Sequence, residues 1–277
     1  MLTTTLDGLW VLQVLTGIEV VAPELSLRPH LPSVEPKQVA LTHPVIVELR
    51  AWGVVNESGD VDATVLEWLT VLSRRDVAVL VHLSRPGQAA TRRALLARYA
   101  TWWVVIERAG ELIHLHGAGI AAAEGPANVV IATEIERLCG SRPAAPLRPV
   151  TLDASAVRAA AASPQALRAL LARHRLETDQ RRILRWVADE QRAAQAAIVA
   201  IQYGAATDRP ARAHIDQGAV TIIDTEEGRL VVEQLTYAGR VWLVVGPGTN
   251  NAIASAVAGM LRRLPAGQEW YAHRKAV

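Results

Sequence analysis

The chain of 277 residues is long enough to bury a large core, and it could form one large domain or two small ones. Its composition, 51% apolar and 20% charged, excludes a disordered chain, a coiled coil and a small disulfide-stabilised protein. The 29 basic and 27 acidic residues leave a net charge of only +2, so we expect no nucleic-acid partner. Cys139 is the only cysteine, which excludes an internal disulfide and a cysteine zinc cluster.

The first half of the sequence predicts helices followed by strands. Threonines near the start favour an extended backbone, and Asp7 is a candidate N-cap for the first helix. Pro44 should bend or break the second helix, and Asp62 is positioned to cap the third. In chain order we expect a strand at 2–6, helices from 7, over 36–54 and from 62, strands at 77–83, 93–99, 101–108 and 111–118, and a helix over about 127–138.

The second half predicts the same kinds of element after a proline-bearing linker at 140–150. Its helices are rich in alanine and arginine, and Ser163-Pro164 marks the start of one of them. We expect helices over 153–162, 164–174 and 177–191, strands at 196–203, 211–216, 219–226, 229–235 and 241–246, and a helix over 250–264.

The two halves resemble each other at an offset of 118 residues. The segment VLEWL at 65–69 matches ILRWV at 183–187, and without a gap Gly110 then meets Gly228 and Leu112 meets Leu230. The same offset places RALLARY, at 93–99, on a predicted strand of the second half, so we interpret it as a strand. The second copy carries an additional hairpin strand at 240–246.

This repeat predicts the fold class. We expect an α+β fold built as a quasi-two-fold duplicated unit, with a central antiparallel sheet and N-terminal and C-terminal helical bundles. The linker is only about ten residues long. We therefore expect residues 1–277 to form a single domain, with pseudo-repeat halves at about 1–140 and 151–277.

Two segments suggest chemistry, and each has a simpler explanation. His114 and His116 alternate on a predicted strand and so share a face, which could begin a metal site, but no third ligand has matching spacing. The segment GPGTNN at 246–251 enters a helix N-terminus yet lacks the lysine and glycine spacing of nucleotide loops. A turn capped by Thr249 or Asn250 explains it more simply.

No nucleophile or acid–base pair stands out. Cys139 ends an apolar helix, and no serine lies in an elbow motif such as GxSxG. The carboxylates Asp224, Glu226 and Glu227 precede a glycine and indicate a hairpin turn. The arginine pairs are expected on solvated helix faces; they are Arg74-Arg75, Arg181-Arg182 and Arg262-Arg263. We therefore predict that the chain is not an enzyme and holds no cofactor or metal.

The remaining feature of the sequence that suggests a function is a sheet face that could bind another protein. Trp102 and Trp103 are adjacent on a strand and must point to opposite faces. In the strand at 196–203, Ile198, Ala200 and Gln202 face one way and the intervening residues the other. A sheet face of small apolar residues suits the helix tip of another protein. The competing interpretation is that the chain's own helices cover that face.

The N-terminal sequence suggests the compartment. The first basic residue is Arg28, so no positively charged region precedes the apolar stretch at 9–15 as it would in a signal peptide. No run of about 18 apolar residues occurs that could cross a membrane. We expect a cytoplasmic protein with no membrane insertion.

Several segments resemble the EspG family of type VII (ESX) secretion-associated proteins of mycobacteria. The resemblance begins with TTTLDGLWVLQVLTGIEVVAPELSLRP at 3–29 and continues with EWLTVLSRRDVAVLV at 67–81 and ATWWVVIERAGELIHL at 100–115. Near the C-terminus GRLVVEQL, VWLVVGPGT, MLRRLPAG and EWYAHR follow in the family's order. The opening segment and the closing LPAGQEW are most similar to the branch that serves the second ESX system.

The resemblance implies a cytosolic chaperone that binds a PE–PPE heterodimer by the hydrophobic tip of the PPE subunit, keeps it soluble and directs it to its ESX system. The family fold is a quasi-two-fold α+β structure with a central antiparallel sheet and two helical bundles. One sheet strand and the C-terminal bundle hold the tip, which by segment order implies partner binding by Ile198, Ala200 and Gln202. The family also implies that a type VII AAA+ ATPase takes part in release.

Two other functions remain open at this stage. The first is a small-molecule or metal-binding α+β enzyme with His114 and His116 near its pocket. The second is a structural or regulatory homodimer that self-associates weakly through a sheet edge.

Overall fold

The computed structural model describes residues 1–27, 36–87, 91–161, 163–174, 176–187, 193–204 and 213–275. Across these ranges the chain forms nine α-helices, two short 3₁₀ turns and eleven strands. The helices are α1 (Leu6–Thr16), α2 (Lys37–Thr42), α3 (Ile46–Ala51), α4 (Ala63–Arg74), α5 (Glu124–Cys139), α6 (Ala154–Ala160), α7 (Pro164–Arg173), α8 (Thr178–Val187) and α9 (Asn250–Arg262). The strands are β1 (Leu2–Thr5), β2 (Val77–Ser84), β3 (Arg92–Tyr99), β4 (Trp102–Ala109), β5 (Leu112–Ile120), β6 (Val150–Asp153), β7 (Ala194–Tyr203), β8 (Ala213–Ile215), β9 (Val220–Thr225), β10 (Gly228–Tyr237) and β11 (Arg240–Pro247).

Local signals in the sequence explain most helix boundaries. Asp62 caps α4 by accepting hydrogen bonds from two backbone N–H groups, and Pro44 lies in the break between α2 and α3, as predicted. The expected cap at Asp7 is wrong. The side chain of Thr5 caps α1 instead, accepting from the Gly8 N–H at 3.2 Å, because the helix begins at Leu6 and Asp7 already lies in its first turn.

The predicted strands of the first half are confirmed, including RALLARY, which forms β3. The sequence missed β6, whose four residues lie directly after the prolines of the linker. The last four residues of the helix expected over 177–191, and the first two of the strand expected over 211–216, lie outside the described residues.

All eleven strands form one sheet, and neighbouring strands are antiparallel. The order is β1-β5-β4-β3-β2-β7-β9-β10-β11-β6, with β8 paired to the end of β7 beside this path. In each half the first strand forms the outer edge and pairs with the last strand, and the two halves meet at β2 and β7. The fold is therefore the quasi-two-fold α+β arrangement that the repeat predicts.

The repeat does not keep one register, however. By position in the sheet β11 corresponds to β5, so the strand at 240–246 is not the additional one; the additional strand is β8. After this insertion the offset grows from 118 to 126 residues. The ion pair between Glu107 and Arg137 recurs, 126 residues further along, between Glu233 and Arg263. The match of Gly110 with Gly228 therefore joins positions that differ in the fold.

Helices cover both faces of the sheet. On one face, which we call the bundle face, α1 to α4 pack on the first half, and α7 and α8 pack on the second, forming two separate apolar clusters. On the other face α5 and α9 form a third cluster that spans both halves. In the described part of the chain no helix is long and apolar enough to cross a membrane.

Candidate functional site

The bundle face is open where its two apolar clusters stop, over the central strands β2 and β7. Along β2 the residues that face α5 and α9 are at most 6% exposed, whereas Leu80 on the bundle face is half-buried and His82 and Ser84 are exposed. Along β7 the bundle-face residues Gln195, Ala197 and Val199 are likewise half-buried. We call these six residues of β2 and β7 the central strip.

Register places the strip on the pseudo-two-fold junction. Leu80 pairs with Val199, and His82 pairs with Ala197 across the two strands. The row through His82 continues to Arg93 on β3, on the side of the first half. The strip is therefore a small apolar surface, with the imidazole of His82 in its middle and the guanidinium of Arg93 at its edge.

One end of the strip is closed by a buried polar cluster. The phenol of Tyr203 lies at the end of β7, 4.5 Å below the guanidinium carbon of Arg75, and donates a hydrogen bond to Glu24. Arg75 also forms an ion pair with Glu24 at 2.7 Å. Burial raises the pKa of Tyr203, so its hydroxyl stays protonated and remains a donor.

Burial and the nearby positive charge of Arg93 both lower the pKa of His82. The free protein therefore holds a neutral imidazole there near neutral pH. The strip offers apolar contact area and a few polar groups, and its geometry suits docking of a protein surface.

Comparison with known proteins agrees with this fold. The model of the EspG family matches residues 5–259 of the chain. The chain belongs to the EspG family. It is 47% identical over all 277 residues to the ESX-2 secretion-associated protein EspG2 of Mycobacterium tuberculosis, with both chains covered completely. It is also 27% identical to the ESX-5 secretion-associated protein EspG5 of Mycobacterium marinum, covering 99% of this chain and 97% of that one.

A solved structure supports the EspG fold for this chain. It is the type VII secretion system chaperone EspG5 of Mycobacterium tuberculosis in complex with a PE25-PPE41 dimer. The TM-score is 0.76 at 24% identity, and the match covers 98% of this chain and 99% of that one. At that identity the likeness shows the fold.

The three residues predicted to bind a partner lie on the covered side of β7 in this EspG chain. Ile198 and Ala200 are 0% exposed and belong to the cluster under α9. Gln202 is 2% exposed, and its side-chain carbonyl accepts a hydrogen bond from the backbone N–H of Ala266 at 2.9 Å. The expectation that these side chains form an open surface is wrong, because α9 and the segment after it cover them. On the opposite side of the same strand, Gln195, Ala197 and Val199 are the residues that stay open.

The two histidines do share a face, as their spacing predicts, but each has its own partner. His114 shares a hydrogen bond with Thr3 at 2.9 Å, and His116 lies 3.3 Å from Glu134 on α5. Within the described ranges no three His, Cys, Asp or Glu side chains are grouped so that they could hold a metal ion.

Cys139 lies at the wall of a cavity of about 380 Å³ where the central strands β2, β7 and β9 begin or end. Burial raises the pKa of its thiol to about 11, so the thiol stays protonated and is a weak nucleophile near neutral pH. Asp224 at the same cavity pairs with Arg229 at 2.7 Å. This pair stabilises the hairpin between β9 and β10.

The remaining sequence signals prove to be structural. Thr249 caps α9 at the end of the GPGTNN segment, and Trp102 and Trp103 point to opposite faces with 45% and 1% exposure, as predicted. The expectation of solvated arginine pairs is wrong for Arg75, which is buried, and for Arg263, which pairs with Asp216 at 3.1 Å. These arginines fix loops to the sheet.

Proposed function

We propose that this protein is a type VII secretion chaperone that binds a PE–PPE heterodimer through the tip of the PPE subunit. The client stays soluble while bound and is directed to its ESX system, which the 47% identity to EspG2 indicates is the second one. The observation that carries the proposal is the open central strip, which lies opposite the side of β2 and β7 that α5 and α9 cover. The complex of the related EspG5 with a PE25-PPE41 dimer supports the choice of client.

The strip fits a task of reversible shielding. An exposed apolar tip drives aggregation unless another surface covers it. Leu80, Ala197 and Val199 provide apolar area on a rigid sheet, so little conformational entropy is lost when a tip docks. Because only a few half-buried residues are available, we expect an interface of modest size that can dissociate before export.

The proposal includes the protein's wider setting. The chaperone acts in the cytoplasm, forms and breaks no covalent bond, and uses residues 1–277 as one domain, since one sheet contains strands of both halves. A type VII AAA+ ATPase takes part in releasing the client.

Co-expression tests the proposed function. The chain is produced with the PE–PPE pairs encoded in the same genome, and co-purification and client solubility are measured. Ala197→Arg should abolish co-purification, because an arginine in the strip blocks docking. Leu112→Arg is the matched control, since Leu112 is an apolar strand residue outside the strip that is 47% exposed.

The control should bind every client that the unchanged chain binds. If no PE–PPE pair co-purifies with the unchanged chain, the proposed function is wrong. Normal binding by Ala197→Arg would instead show that the client docks elsewhere.

A further inference from the structure

Arg93 differs from the other buried or half-buried arginines on the strands of the sheet. It is half-buried beside the central strip, and its guanidinium donates one hydrogen bond, to the hydroxyl of Ser26 at 3.0 Å. No carboxylate lies within ion-pair distance of it in the described residues. The other buried or half-buried arginines on the strands each have a carboxylate within 4.0 Å; they are Arg92, Arg98, Arg108 and Arg229.

This cation becomes costly once a partner covers the strip. In the free protein, water reaches the half-buried guanidinium of Arg93 and the exposed ring of His82 beside it. A docked apolar surface would remove that water and leave a positive charge in a low dielectric without a counter-ion. A charge buried in this way destabilises a complex strongly unless it is paired.

We propose that the partner surface that covers the central strip carries a carboxylate that pairs with Arg93, surrounded by apolar side chains that pack on Leu80 and Val199. The proposal rests on the proposed function and adds the chemistry of the contact. The strip therefore selects among apolar tips: a tip with an acidic side chain at this position binds, and a tip without one is rejected because it would leave the guanidinium unpaired.

Calorimetric titration with a PE–PPE pair that binds the unchanged chain tests the proposal. Arg93→Gln should weaken binding by about ten- to one-hundred-fold, the loss expected for a desolvated charge pair. Arg93→Lys keeps the charge and should bind more tightly than Arg93→Gln. Arg240→Gln is the matched control, because Arg240 is an exposed strand arginine without an ion pair in the described residues, and it should bind like the unchanged chain.

The outcomes separate this inference from the proposed function. If the pair binds and Arg93→Gln matches the Arg240→Gln control, the carboxylate contact is wrong while the chaperone function stands. If no PE–PPE pair binds the unchanged chain, both are wrong. If Arg93→Gln does not fold, the partner is changed instead. One Asp→Arg or Glu→Arg substitution on the PPE tip should abolish binding, and Arg93→Glu in the chaperone should restore it. If no such exchange restores binding, the inference is wrong.

Discussion

Replacing Ile198 by alanine should destabilise the protein strongly, whereas the same change at Val199, the next residue of β7, should have little effect. Ile198 is 0% exposed and belongs to the cluster beneath α9, together with Val257 and Met260. Val199 is half-buried and lies in the open central strip. The two substitutions sample the two faces of one strand.

The expected magnitudes follow from burial. Truncating a fully buried isoleucine to alanine costs about 2–5 kcal/mol through lost apolar contact and the cavity that remains. For 277 residues, an unfolding entropy of about 2.1 cal/mol/K per residue gives about 0.6 kcal/mol/K, so Tm should fall by about 3 to 9 °C. Truncating the half-buried Val199 should cost about 1 kcal/mol or less, or about 2 °C.

Differential scanning calorimetry and client binding, measured on the same samples, complete the test. Ile198→Ala should melt earlier yet bind the PE–PPE pair normally at temperatures where it is folded. Val199→Arg should keep its Tm within a few degrees and lose the client. Equal Tm values for Ile198→Ala and Val199→Ala, or loss of the client in the folded Ile198→Ala protein, would refute the assignment of the two faces.

Three further substitutions test the packing and the charges of the fold. Trp270→Ala should lower the free energy of unfolding, measured by urea denaturation, by about 3–5 kcal/mol. The side chain is 0% exposed and packs edge-on against Trp103, with the ring centroids 6.4 Å apart. Trp102→Ala is the control and should lower it by about 1 kcal/mol at most, because Trp102 is exposed. Asp62→Ala should cost about 1 kcal/mol in the same assay through loss of the α4 cap; no loss would contradict the capping bonds. Burial raises the pKa of Glu134, but hydrogen bonds from His116 and the neighbouring arginine outweigh it and hold the pKa below its ordinary value. The ionised carboxylate of Glu134 therefore stabilises the protein at neutral pH, and this contribution is lost in acid. Between about pH 7 and pH 3 the Tm of Glu134→Gln should fall less than the Tm of the unchanged chain. An equal fall of the two Tm values would contradict this.

Local signals predicted the fold class because they act within a few residues. A proline in a helix interior interrupts the helix, so Pro44 predicts the break between α2 and α3. An aspartate before a helix caps it, so Asp62 predicts the start of α4. The repeat also predicted the symmetry of the sheet. Its register was wrong after β7 because β8 is inserted there, and the gapless alignment carried strands past their true counterparts.

The candidate site shows where sequence stops being informative. Alternation along β7 correctly separated Ile198, Ala200 and Gln202 from their neighbours, since strand geometry fixes that separation. Which face stays open depends on where α9 packs, and α9 lies about fifty residues further along the chain. Both faces of β7 are apolar, so composition could not distinguish them. His82 and Arg93 were not predicted as a pair, because only the register of β2 with β3 brings them together.

Site-specific photo-crosslinking tests the central claim most directly. A benzophenone side chain introduced at position 197, in the middle of the central strip, should crosslink to the PPE subunit of a bound PE–PPE pair. The same probe at position 112, an exposed site outside the strip, should give no adduct. Crosslinks from position 112 together with none from position 197 would contradict docking on the central strip.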